Sequence, residues 1–71
     1  MLRNAYNYLE RKQRFQFRDI IIEECGFSYP TFYNYLQGAT DIPKLVSEKI
    51  REIIIKKDYP KKMLKIFDSK N

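Results

Sequence analysis

No histidine occurs in this sequence, cysteine occurs once, at Cys25, glycine only twice, and no apolar run is long enough to cross a membrane. Each scarcity excludes something. A single cysteine forbids an intramolecular disulfide, and without histidine there is no imidazole metal site. Such cysteine usage fits a reducing, cytoplasmic setting. A membrane helix needs about 20 consecutive apolar residues, and the charged N-terminus lacks the apolar core and small-residue cleavage site of a secretory signal. A soluble chain is therefore expected. Catalytic chemistry finds little support. None of the serines has a histidine to activate it, and the two glycines form no phosphate-cradling loop. The carboxylates stand singly or as the adjacent Glu23-Glu24, which on a helix point in different directions and suit a solvated face better than an acid and base pair. Cys25 falls on an apolar face, where a small core residue is the simpler reading than a nucleophile. No enzyme activity, cofactor or metal is expected.

What the chain does have is helical periodicity. With 71 residues it is one small domain, able to bury one layer of helix against helix and little more. Leu2, Ala5, Tyr6 and Leu9 form one stripe of a first helix over about 2–11. A break is expected near 12–16, with Phe15 and Phe17 flanking the entry to a second helix over about 17–25 and plugging the core. The β-branched run Ile20 to Ile22 would also suit a buried strand, but its context favours helix. Ser28 is a good N-cap for a third helix over about 29–37, in whose first turn Pro30 is tolerated. Thr40 or Asp41 is expected to cap a fourth helix with Pro43 near its start, striped by Val46, Ile50, Ile53, Ile54 and Lys57 to its end. Met63, Leu64, Ile66 and Phe67 supply a final helix that packs on the core or on a second chain. The expected fold is all-α, a compact bundle of four to five short helices, with a core over about 2–57 and a basic helix or tail over 58–71.

The segment 20–38 carries the sharpest signal. Gly26 closes the second helix in a left-handed conformation and redirects the chain, and Gly38 ends the third. Phe32, Tyr35 and Leu36 share a face suited to packing on Ile21, Ile22 and Cys25, which leaves Tyr29, Pro30, Tyr33, Asn34 and Gln37 outward and Thr31 intermediate. Two short helices held at a fixed angle by a tight turn are a common way to present side chains to the DNA major groove. Gly26-Phe27-Ser28, Thr31-Phe32 and Tyr35-Leu36-Gln37-Gly38 resemble the helix-turn-helix of the phage repressor and Cro-like family. The family's usual alanine four positions before the glycine is Ile22 here. Ile42-Pro43-Lys44-Leu45-Val46, followed by Ile50, Ile53 and Ile54, is similar to the family's next core helix.

The resemblance implies a lambda repressor-like fold and a transcription regulator that binds double-stranded DNA. Matched position by position, it makes Tyr29, Pro30, Tyr33 and Asn34 the base-contact candidates. Asn34 suits a bidentate pair with adenine, and Tyr33 a phosphate or a thymine methyl. Backbone candidates are Arg14, Arg18, Ser28, Thr31, Gln37 and Lys44, with Arg18 opening the second helix. Regulators of this kind generally pair two-fold, and Met63, Leu64 and Phe67 are the candidates for a homodimer contact.

Charge complicates that reading. The formal net charge is +5, yet no Lys or Arg occurs between Asp19 and Pro43, where Asp19, Glu23, Glu24 and Asp41 all lie. Phosphate contacts supply most non-specific DNA affinity, so clamping charges have to come from the flanks. Lys56, Lys57, Lys61, Lys62 and Lys65 equally suit a solubilising face. The acidic centre and the tyrosines of the third helix also suit a second function, a protein-interaction module whose aromatic face docks a partner. A third reading, an RNA-binding factor that stacks bases on Tyr and Phe, finds no RNP-type or clamp motif.

Overall fold

Good helix formers fill the segment between Arg11 and Gln16, and no glycine or proline interrupts them. In the computed structural model, which describes residues 2–68, they form the first turns of a long helix rather than a break. The described residues make five helices: α1 (Leu2–Tyr8), α2 (Arg11–Cys25), α3 (Tyr29–Gln37), α4 (Lys44–Lys56) and α5 (Lys62–Asp68). No strand occurs among them, and none of the helices is long and apolar enough to cross a membrane.

The expected break thus moves to Leu9-Glu10, and three expectations change with it. The first helix ends at Tyr8 instead of near Arg11. Arg18 lies in the middle of α2 instead of opening it, and Phe15 is 42% exposed instead of plugging the core, whereas Phe17 is fully buried. Arg14 explains why the chain turns where it does. Its Nε donates to the carbonyl of Leu9 at 2.8 Å and an Nη to that of Asn7 at 3.4 Å, so an arginine from α2 satisfies carbonyls left open at the end of α1.

Three helix ends are closed by a residue in the left-handed region. The chain's two glycines are both used in this way, Gly26 at φ 73° and Gly38 at φ 78°. After α3 the Ala39 amide reaches back to the Asn34 carbonyl and the Gly38 amide to that of Tyr35. The same paired bonds recur after α4, where Tyr59 donates to Ile54 and Asp58 to Ile55. There the left-handed position is held by Asp58, at φ 60°. The start of α4 differs from expectation. Pro43 holds the N-cap position without a side-chain hydrogen bond, and neither Thr40 nor Asp41 caps the helix.

The core is Leu2, Ala5, Tyr6 and Leu9 from the first segment, Phe17 and Ile21 from α2, Phe32 from α3, Ile50, Ile53 and Ile54 from α4, and Met63 and Phe67 from α5. Among the described residues no polar or charged side chain is buried with them. Phe32 meets Tyr6 edge to face at 5.7 Å, and Phe17 meets Tyr59 at 5.0 Å. Among the described residues α3 packs on α1 and α2, α5 on α1 and α4, and α4 also on α2, so α3 touches neither α4 nor α5. Met63 and Phe67 are occupied inside the chain's own core, which removes them as a surface for a second copy; Leu64 is half-buried. α5 packs on α1, whose apolar stripe needs a second element to bury it, and a helix of seven residues depends on such contacts to form.

The left-handed Asp58 gives a direct stability test. A non-glycine residue there is strained by roughly 1 kcal/mol, part of which glycine returns through its freer unfolded chain. Asp58→Gly is expected to stabilise the protein by about 0.5 kcal/mol, read as a higher urea midpoint at unchanged slope.

Candidate nucleic-acid interface

The segment between Ile20 and Gly38 folds as helix, glycine turn, helix. Gly26 donates to the Ile22 carbonyl at 2.9 Å and closes α2. The Ser28 hydroxyl then accepts from the Thr31 amide at 3.4 Å and contacts the Thr31 hydroxyl at 3.1 Å, capping α3 with Pro30 in its first turn. Phe32 points inward, while Tyr35 and Leu36 are half-buried, with Tyr35 edge to face on Phe27 at 5.5 Å. Nine residues make α3 too short to persist alone, so its position depends on these contacts.

The outward face of α3 divides into engaged and open groups. Tyr33 is half-buried rather than outward, and its hydroxyl accepts from an Arg18 Nη at 3.1 Å. Tyr29 is 49% exposed, with its hydroxyl donating to Asp19 at 3.2 Å. Pro30, Asn34 and Gln37 are exposed, and the side chains of Asn34 and Gln37 make no hydrogen bond. Lys44 is exposed at the start of α4 and has no acidic partner, whereas Lys49 lies 3.8 Å from Glu24. Ser28 and Thr31 are at the N-terminus of α3, occupied with each other.

Arg18 alters the electrostatics of this face. Its Nε is 3.0 Å from Asp19 Oδ1, and its guanidinium carbon is 4.9 Å from the centre of the Phe15 ring and 5.0 Å from that of Tyr29. The Tyr33 hydrogen bond and then the Asp19 carboxylate reinforce its positive charge. A cation from α2 therefore stands against a helix that has none of its own. Arg11, 5.9 Å from the Phe15 ring, extends the same face of α2. Sequence reading missed Phe15, Asp19 and Arg11 as parts of this surface. The signal was present in the spacing Arg11, Phe15, Arg18, which shares one face once the segment is taken as helix. Arg14, by contrast, is tied to α1.

The five lysines from Lys56 to Lys65 are all exposed, on α4, α5 and their connection, which α3 does not touch, with Lys62 lying 5.9 Å from the Tyr8 ring. Among the described residues no group of three or more His, Cys, Asp or Glu is placed to hold a metal ion. Comparison with protein-family models, curated proteins and solved structures finds no match.

Cys25 lines a shallow open cleft with Leu45, Val46 and Lys49. Burial pushes its thiol above the usual range, against the opposing pull of Lys49 and with a further push from Glu24. The reactive thiolate is therefore scarcer than in a free cysteine at the same pH. Alkylation by iodoacetamide at pH 8 is expected to be slower for the folded protein than for the chain in urea, and its rate is expected to climb at higher pH than for a free thiol.

Proposed function

We propose that the protein is a sequence-specific DNA-binding regulator of transcription, acting without chemistry by occupying its site as a repressor does, with α3 laid in the major groove of double-stranded DNA. The observation that carries this reading is the division of α3. Phe32 anchors its inner face, while Asn34 and Gln37 stand exposed on the outer face with unused hydrogen-bonding capacity. Asn34 is the reading residue, since its amide both donates and accepts and so pairs bidentately with adenine. Pro30, the ring of Tyr29 and the exposed edge of the half-buried Tyr33 ring offer apolar contact to thymine methyls, because both tyrosine hydroxyls are held by α2. Lys44, Gln37 and the α3 N-terminus with Ser28 and Thr31 face the sugar-phosphate backbone.

One helix of this length reads few base pairs, so selectivity calls for a two-fold pair of chains. That homodimer has to form through a surface other than Met63 and Phe67. The lone free cysteine suits a cytoplasmic setting.

A second reading is supported by the exposed ring pair Phe15 and Tyr29, which share the Arg18 guanidinium. Solvent-facing aromatics beside an arginine also suit a protein partner.

Selection of bound sequences from a random duplex pool, followed by titration at several salt concentrations, separates the two. For a DNA regulator, Asn34→Ala reduces the preference for the selected duplex by about 1–3 kcal/mol, while Lys44→Ala weakens selected and random duplexes alike and lowers the salt slope by about 1. If selected and random duplexes bind equally weakly at physiological salt, the regulator reading fails.

A further inference from the structure

At the joint between α2 and α3, the Asp19 carboxylate is bonded to both an arginine and a tyrosine of α3. Its Oδ1 accepts from Arg18 Nε at 3.0 Å and from the Tyr29 hydroxyl at 3.2 Å. Arg18 in turn is held by the Tyr33 hydroxyl and by the rings of Phe15 and Tyr29. Arg18 would otherwise be the natural phosphate ligand, a planar fork of donors suited to an oxyanion. The Asp19 side chain, 54% exposed, already fills part of that fork and carries the same sign of charge as an approaching phosphodiester.

Resting on the reading of α3 as a DNA-binding helix, we infer that Asp19 is a specificity-determining residue that competes with backbone phosphate for Arg18. In the free protein the pair Arg18–Asp19 is internally neutral and adds nothing to sequence-independent attraction. A duplex that offers no base contacts to Asn34 has to displace Asp19 and then lie beside its charge. A cognate duplex is held by the base contacts and does not depend on Arg18. Asp19 thereby suppresses binding to bulk DNA more than binding to the chosen site, by a like charge placed against the wrong complex. Arg18 serves as a positioning residue for Tyr29 and Tyr33.

The test compares Asp19→Asn with the wild type on a selected duplex and on its scrambled counterpart, across a salt series. Asparagine keeps an acceptor for Arg18 and for Tyr29, and the exposed position leaves the fold intact, which the urea midpoint checks. Glu23→Gln removes an equal charge from an exposed position of the same helix and serves as the control. The expected result is about 3- to 10-fold tighter binding of the scrambled duplex by Asp19→Asn at low salt, a salt slope steeper by about 0.9, and a smaller change for the selected duplex. The gain is expected to vanish when Arg18→Gln is added. A gain equal to that of Glu23→Gln, a gain that survives Arg18→Gln, or no gain overturns the role of Asp19 while leaving the DNA reading in place. If neither wild type nor variant binds any duplex, the DNA reading itself falls and this role falls with it.

Discussion

The anchoring of α3 by Phe32 is the contact on which the rest of the surface depends. A helix of nine residues has too few internal hydrogen bonds to offset its nucleation cost, so isolated α3 would be mostly unfolded. Burying Phe32 against Tyr6, with Tyr35 against Phe27, supplies tertiary contacts that the helix lacks on its own. The two glycine-closed ends then fix where α3 starts and stops, and the Ser28 cap satisfies an amide of its first turn. Once those are set, the outward positions of Pro30, Asn34 and Gln37 follow from helical geometry.

Charge is arranged around that helix rather than on it. The excess of Lys and Arg comes from the two ends of the chain, and much of it is placed away from α3, in the exposed lysines of the α4–α5 corner. Arg14 is tied to the end of α1, and Arg51 to Asp68 at 2.7 Å. What reaches α3 is Arg18, already paired with Asp19, and the next basic residue after α3 in sequence, Lys44, is exposed and has no acidic partner among the described residues. On the DNA reading proposed above, a surface built this way would have weak general attraction for polyanions and would rely on close fit. That suits selectivity and leaves a neutral aromatic partner surface as the competing use of the same residues.

The legible parts of the sequence were those where a residue type admits one backbone conformation or one face. Gly26, Ser28, Pro30 and Gly38 placed the bounds of α3 at Tyr29–Gln37, and the stripes of α1 and α4 identified buried residues from Leu2 to Ile54. The start of α2 was not legible, because the loop signal between Leu9 and Arg11 is carried by no glycine or proline. It is imposed by tertiary packing and by Arg14 reaching back to the carbonyls of Asn7 and Leu9. That error hid the neighbourhood of Phe15, Arg18 and Asp19, since a face exists only once the helix does. The location of Met63 and Phe67 was likewise open, since an apolar stripe reads the same whether it covers α1 or a second chain.

The central claim, that α3 is the surface that meets DNA, is tested most directly by nuclear magnetic resonance. Backbone amide shifts would be followed while a duplex recovered from a random pool is titrated into labelled protein at physiological salt. The account predicts that the largest changes fall on 28–37 and on Lys44, with the Asn34 side-chain amide shifting strongly and 56–65 little affected. Changes confined to the lysines of 56–65, with α3 unmoved, would contradict it.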